Sequence, residues 1–471
     1  MATINAAFNL ITNALNADQE ALSVLANNVS NANTTGYTRE MTIFTENQPV
    51  TINGMQFGTG VSNSGPISIR DGVLEMRLAQ QKQIAASSSS RLTALDTVQA
   101  LFTPNSGSST SSNSGDIGAN ITSFFSSLSS LSRTPTDNSL RQAVLSSANT
   151  LSANVSNTAS NLNSQKSALN AQAGSIAAQV NALTTSLAAL NKQIQSTSPH
   201  GDAGVLEDQR VQDISQLSQL IGINKITTEN NGLSLTTTSG DLLVSNGQSV
   251  PMTTGDVSGL VHFFLGNRDI TSDLATGGGQ LGGLLMVRDV DIPAAINSLD
   301  QFAYGISSQV NTINNAGTDL LGHNGGAGDI FSSLATVAGS ALNMRMVMTN
   351  PGAIAAAGLS DPTGDNQNIT AMAALGYQTI IVGETPSNFF ANFVTTLGAT
   401  VAGVKTENAA QNASVSQLQT QVHSLSSVSL NDEAASMQQL QRSYQAASQV
   451  FTLLNSLMGT ALNLGVTTAV G

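Results

Sequence analysis

The chain has no cysteine and no tryptophan, only 4 tyrosines and 14 phenylalanines, and just 10% of its 471 residues carry a charge. Without a thiol, disulfides, thiolate metal sites and thiol catalysis are excluded. Few rings and few charges exclude a large aromatic core. The abundant Ala, Leu, Val and Ile, mixed with Ser, Thr, Asn and Gln, suit long helices packed side by side. Formal net charge is −13 and no run of Lys or Arg forms a patch, so nucleic acid is not an expected partner and an anionic membrane surface has nothing to hold. No apolar run reaches the roughly 18 residues needed to cross a bilayer, so no membrane insertion is expected. Before Arg39 there is neither a basic residue nor a contiguous apolar centre, so a secretory signal is not expected and export needs another route. A chain of 471 residues exceeds what one core organises, and several domains are expected.

What is present is periodicity. Ile4, Phe8, Ile11, Leu15, Leu22, Leu25 and Val29 alternate in steps of four and three, interrupted only where Asp18 takes an apolar place. This is one apolar seam on a helix with almost no charge on its other face, and such a helix needs a partner. Met437, Leu440, Tyr444, Ala447, Phe451, Leu454, Met458 and Ala461 repeat the pattern at the other end. Phe390 to Leu425 keeps heptad spacing through Asn408 and Gln411. Between the two lies SVSLNDE, residues 427–433, where the phase shifts and Ser429 or Asn431 can cap a new helix with Asp432 and Glu433 in its first turn. A third stretch runs from about Asn138 to Ser196. Leu169, Ala173, Ile176, Val180, Leu183, Leu187, Leu190 and Ile194 hold heptad register there, while Val144 and Leu151 stand in a different phase from Val155 and Leu162, which predicts that the rod bends or repacks.

From Gly222 to about Gly283 the runs are β-prone, with Asn231-Gly232 and Asn246-Gly247 reading as hairpin turns. The tracts Asn105 to Gly118 and Gly322 to Gly328 read as loops. Signs of chemistry are weak. His200, His262, His323 and His423 have no second ligand at metal-binding spacing and read as surface or loop residues. Gly277, Gly279 and Gly282, followed by Asp300, match a dinucleotide pattern loosely, but no clear strand enters it; the glycines read instead as a link to a helix beginning near Met286. Asp289 and Asp291, beside Pro293, read as a helix start rather than a metal pair. No catalytic site, metal site or cofactor is expected.

The string ANNVSNANTTGYTRE, Ala26 to Glu40, resembles the N-terminal signature of flagellar rod, hook and hook-associated proteins, carried by Asn27, Asn28, Asn31, Asn33, Thr35, Gly36, Tyr37 and Arg39. In physical terms the helix exits among asparagines, Gly36 permits a turn, and Tyr37 supplies a half-buried anchor. Four further segments resemble the flagellar hook-associated protein 1 family: Phe124 to Ala148, Glu207 to Ile223, Gly278 to Asp289, and Ser429 to Phe451. SLNDE departs from the consecutive Leu-Asp-Glu-Glu usual there. The resemblance implies a stacked subunit with paired terminal helices innermost, a helical rod next and a β domain outermost. It also implies export through the flagellar type III apparatus, with a disordered N-terminal region as signal and a chaperone on the C-terminal helix.

The expected fold is therefore mainly α with a small inserted β domain: elongated, with long heptad-patterned helices and the N- and C-terminal helices paired as a coiled coil. The expected domains are 1–35 with 430–471 for assembly, 36–221 with 284–429 for the helical rod, and 222–283 for the β insert. The expected function is a structural one at the hook-filament junction of the bacterial flagellum, outside the cell. The chain would self-assemble into a ring or tube, with hook protein on one side and the second junction protein on the other. A hook or distal-rod subunit, or a coiled-coil surface fibre, is the alternative.

Overall fold

The structure, a computed structural model, describes residues 2–52, 54–103, 116–198, 202–228, 231–245, 247–325 and 328–466. His200, Asn246 and parts of both expected loop tracts lie outside the described residues, as does the side chain of Ile4.

Helix α1 (Ala2–Asn31) contains no glycine or proline and stops among asparagines, as its composition dictates. Gly36, at φ +82°, turns the chain into an arm of two small antiparallel sheets. Strand β1 (Glu40–Glu46) pairs with β4 (Val61–Ser68), and β2 (Val50–Ile52) with β3 (Met55–Phe57) at the tip. These strands lie within residues 36–221, the stretch expected to belong to the helical rod. The alternation Met41, Thr42, Ile43 and the turn at Gly54 carried a strand signal, but the strands are short and largely exposed, so the pattern does not extend.

Helix α2 (Gly72–Ala100) starts where Asp71 accepts hydrogen bonds from the backbone N–H of Val73 at 2.9 Å and Leu74 at 3.0 Å. It lies along α11 (Pro386–Ser426), which Thr385 caps. Helices α3 (Ile117–Leu131) and α4 (Asn138–Thr197) form a hairpin, with α4 continuous for 60 residues. The phase change in α4 is thus a change of partner without a break. Its first half meets α3 and the short α9 (Ser340–Asn343), and its second half meets α5 (Gly204–Leu220) and the β segment. Val144, Leu151, Val155 and Leu162 are all fully buried because neighbours cover more than one side.

The β segment holds a four-stranded antiparallel sheet of β5 (Ile223–Thr227), β6 (Leu233–Thr237), β7 (Leu242–Ser245) and β8 (Gln248–Ser249). A three-stranded one follows: β9 (Met252–Val257), β10 (Leu260–Leu265) and β11 (Arg268–Asp269). Three asparagines of α4 bind the edges of these strands. The Asn181 amide donates to Met252 O and accepts from Met252 N–H, both at 2.8 Å; Asn191 does the same with Leu233, and Asn170 Oδ1 accepts from Val261 N–H. Spacings of 11 and 10 residues, about three turns each, keep them on one helix face. The β segment therefore lies along the second half of α4, and Lys225 sits near the base of α2.

After α6 (Thr271–Gly277), α7 (Gly279–Met286) passes through a π turn, Val287–Asp291, into α8 (Ile292–Ala316). The glycines serve packing. A Cβ on Gly283 would lie 2.2 Å from Ser87 O on α2, and one on Gly279, at φ +73°, would lie 2.5 Å from Ile221 N. The helix begins at Gly279 rather than near Met286. Asp289 and Asp291 lie in the π turn that leads into α8, with Asp291 directly before its first residue and Pro293 in its first turn, but neither caps it by a side-chain bond; Asp289 pairs with the buried Arg288, and Asp291 accepts from Arg91 Nε and Nη2, both at 3.0 Å. The short α10 (Gln367–Ala374) closes against α3 and α8. The last helix, α12 (Leu430–Val466), runs antiparallel to α1: Phe8 meets Phe451 with ring centroids 4.7 Å apart, while Asn28 reaches Glu433.

Candidate functional site

The residues of the N-terminal signature converge on the start of α12. Asn28 is fully buried and uses its whole amide. Its Nδ2 donates to Glu40 O at 2.8 Å and to Glu433 Oε2 at 3.3 Å; its Oδ1 accepts from the Tyr37 hydroxyl and from Glu40 N–H, each at 2.9 Å. Arg39 Nε donates to Glu433 Oε1 at 2.6 Å, and its backbone N–H donates to Ser426 O at 2.9 Å, at the end of α11. Glu433 is 0% exposed, and this pairing satisfies a carboxylate that burial alone would make costly. The chain thus brings residues 28, 37, 39, 426 and 433 into one buried knot that ties both ends to the rod.

A second set of bonds fastens the knot to α5. Thr38 donates from N–H and Oγ1 to Asp208 at 3.1 and 2.5 Å, Arg70 Nη2 reaches Asp208 at 2.7 Å, and the Gln212 amide donates to Thr35 O at 3.0 Å. Gly36 passes so close to Gln212 that a Cβ would collide with that amide. Asn27 and Asn31 bond one another, Asn31 holds the Thr34 hydroxyl, and Asn33 is exposed. The Tyr37 hydroxyl is pushed up to about 12, first by burial and then by the carboxylates of Glu40, Asp208 and Glu433. Burial also raises Glu75 and Glu207, while the Arg70 guanidinium beside them pulls the other way. A cavity of about 380 Å3 opens between the signature loop, α2, α5 and the end of α11. Lys82 and Lys225 line it, each with its charged form disfavoured by burial. Among the described residues, no three His, Asp or Glu side chains gather as a metal site.

Of the expected N-terminal seam, Ile11 and Leu25 are buried, Phe8, Leu15 and Leu22 are half-buried, and Val29 is exposed. Of the C-terminal seam, Met437, Leu440, Ala447, Phe451, Leu454 and Met458 are half-buried, and Tyr444 and Ala461 are exposed. Sequence reasoning missed Asp208, Arg70 and Gln212, and it read Glu433 only as a favourable first-turn acid. Their partners lie far off in sequence, 394 residues in the case of Arg39 and Glu433, so no local spacing reveals them.

Comparison with known proteins finds matches in three segments of the chain. Residues 108–331 match the model of the flagellar hook-associated protein FlgK helical domain. Residues 8–38 match that of flagella basal body rod proteins, and 421–464 that of the flagellar basal body rod FlgEFG protein C-terminal region. The last two matches cover most of α1 with the signature as far as Thr38, and the end of α11 with nearly all of α12. Flagellar hook-associated protein 1 of Escherichia coli K12 is 26% identical over 97% of this chain and 99% of its own. That of Bacillus subtilis 168 is 27% identical over 96% of each. The solved flagellar hook junction protein FlgK from Burkholderia pseudomallei shares the fold, with a TM-score of 0.65 at 18% identity over 75% of this chain and 100% of that one. Together these matches make the chain a structural component of the bacterial flagellum. Within that class the chain is similar, over nearly its whole length, to flagellar hook-associated protein 1, and these matches support a structural protein of the hook-filament junction.

Proposed function

We propose that the chain builds the junction layer by packing its two terminal helices against those of neighbouring copies, so that the exposed sides of α1 and α12 become buried in a ring or tube. The observation that carries this reading is the incomplete burial of the pair. α1 covers one strip of α12 and leaves Val450, Leu453 and Leu457 at 46%, 59% and 52% exposure, with Leu10 and Val29 open on α1. Apolar side chains arranged along one helix face in this way favour a further helical partner. Burying each would contribute roughly 1.5–3 kcal/mol before ordering entropy is subtracted.

In this reading residues 1–35 and 430–471 form the assembly unit, paired as a coiled coil, while 36–221 and 284–429 form the rod and 222–283 the β insert. The two seams are the assembly surface, and the signature residues from Asn27 to Arg39 hold them to the rod. Hook protein lies on one side and the second junction protein on the other, and α12 is carried by a chaperone before export through the flagellar type III apparatus. The exposed apolar face of α12 supports the chaperone reading, since it is a surface a chaperone can cover. Deleting the gene tests the junction role: hooks should remain while filament subunits escape into the medium. Loss of the hooks themselves would overturn it in favour of a hook or distal-rod subunit.

A further inference from the structure

Beside the knot, the cavity of about 380 Å3 between the signature loop, α2, α5 and the end of α11 falls within the range of small-molecule sites, roughly 300–1,000 Å3. Much of its wall is apolar. Met76 and Ala79 of α2, Val211 and Ile214 of α5, Ile223 of β5 and Val422 of α11 line it. Ile214 and Ile223 are 6% and 4% exposed, so the body's own core sets this wall, and it suits an apolar tail. Four groups able to carry charge face the same space: Glu75, Lys82, Lys225 and His423. Their partners differ. Glu75 has the Arg70 guanidinium at 3.9 Å, and Lys82 has only the Ser215 hydroxyl, at 2.6 Å. The Lys225 ammonium has neither a hydrogen bond nor a carboxylate within 4 Å among the described residues. Glu75 and Glu207 act on it from farther off, both already facing Arg70, while Arg210 and Arg70 oppose them. Burial disfavours the cationic form of both lysines, and what relieves a desolvated ammonium is an anion placed against it. Positive charge is what this cavity leaves unmatched, so negative charge is what it favours.

We propose that this cavity binds a small amphiphilic anion, an apolar tail bearing one carboxylate, with the tail among Met76, Ala79, Ile214 and Ile223 and the carboxylate on Lys225. Such a ligand touches the signature loop, the body and the end of α11 together, so binding fastens the joint between them. Octanoate and its uncharged analogue 1-octanol, titrated by calorimetry into the purified full-length chain, test this. Octanoate is expected to saturate a single site and to bind at least about ten-fold more tightly than octanol, the gain of a charge-assisted pair. Lys225→Met, of similar length and uncharged, is expected to bring octanoate to the level of octanol. Absence of saturable octanoate binding, equal affinity for the two probes, or no weakening in Lys225→Met overturns the proposal. Hydrogen exchange locates the site. Octanoate is expected to slow amides of residues 32–38, 76–82 and 422–428. Slowing confined to residues 450–457, where α12 exposes Val450, Leu453 and Leu457, means that the probe coats that face and overturns the proposal. Ala79→Phe fills the cavity and is expected to abolish binding; octanoate binding by this variant, folded by circular dichroism, also overturns it. If the phenylalanine variant does not fold, Lys225→Met decides. None of these measurements requires assembly, so they stand or fall independently of the junction reading.

Discussion

Helices α4 and α12 carry the same apolar spacing and meet different fates. In α4, Val144, Leu151, Val155, Leu162, Val180, Leu187 and Ile194 are all at 0% exposure. In α12 no apolar seam residue is fully buried, and Leu453 is 59% exposed. The difference lies in the neighbours. α4 is enclosed by α3, α5, α8 and the β segment, while α12 packs mainly on α1, with Arg39 added at its start. A heptad pattern says that a helix has an apolar side; it is silent on how many elements will cover it. Where coverage is incomplete, as on α12, apolar side chains stay exposed in the single chain.

The comparison is broken most forcefully in α4. Leu187→Ala is expected to cost about 2–5 kcal/mol, read as a lower urea midpoint for unfolding of the whole body, and a loss below about 1 kcal/mol would show that α4 is less enclosed than it looks. Next comes the knot. Glu433→Ala strips Arg39 and Asn28 of their shared partner and is expected to cost about 1.5–3 kcal/mol. The cost should be confined to the ends, with faster amide exchange in α1 and α12 and none in α4. Gly283→Ala sharpens the body side: its methyl meets Ser87 O, so α7 must move off α2 at roughly 1–3 kcal/mol, measurable by thermal melting.

Protonation distinguishes the two regions as well. Tyr37 ionises at about 12 in the fold against an ordinary 10, so the folded chain keeps a proton that the unfolded chain loses. Its contribution to stability is whole below pH 10 and disappears as pH rises through about 12. Ultraviolet titration should show a late phenolate that Tyr37→Phe removes, and exchange in α1 and α12 should quicken over that window. Glu75 and Glu207 behave in the same sense at lower pH, since burial raises both above their ordinary 4.5 and stability declines as pH climbs past it. The smallest effect is expected at Leu453→Ala: within about 0.5 kcal/mol in the isolated chain, yet a clear loss of filament-bearing cells if that side chain is buried on assembly.

How much of this was legible beforehand follows from the range of each interaction. The signature residues were readable because Asn28, Gly36 and Tyr37 sit within one short string whose turn chemistry is local. Glu433 was visible only as an acid in a first turn, because its meaning comes from Arg39 and Asn28. The glycines at 277–283 read as a link into a helix, and their use as a close helix crossing depends on α2, nearly two hundred residues earlier. The arm of β1 to β4 escaped notice because its strands are short and largely exposed, so burial imposed little alternation.

By itself the sequence determined the mainly helical character, the apolar seams at both ends, the antiparallel hairpins of the middle and the helix caps, since these rest on backbone preference and spacing over one to a few turns. The tertiary structure alone decided which seams are enclosed and which stay open, that α4's asparagines hold the β strands, and that a carboxylate at one end of the chain completes a knot begun at the other. Those outcomes depend on elements hundreds of residues apart meeting in space, and burial, which sets the energy of every apolar and charged group, exists only once they have met.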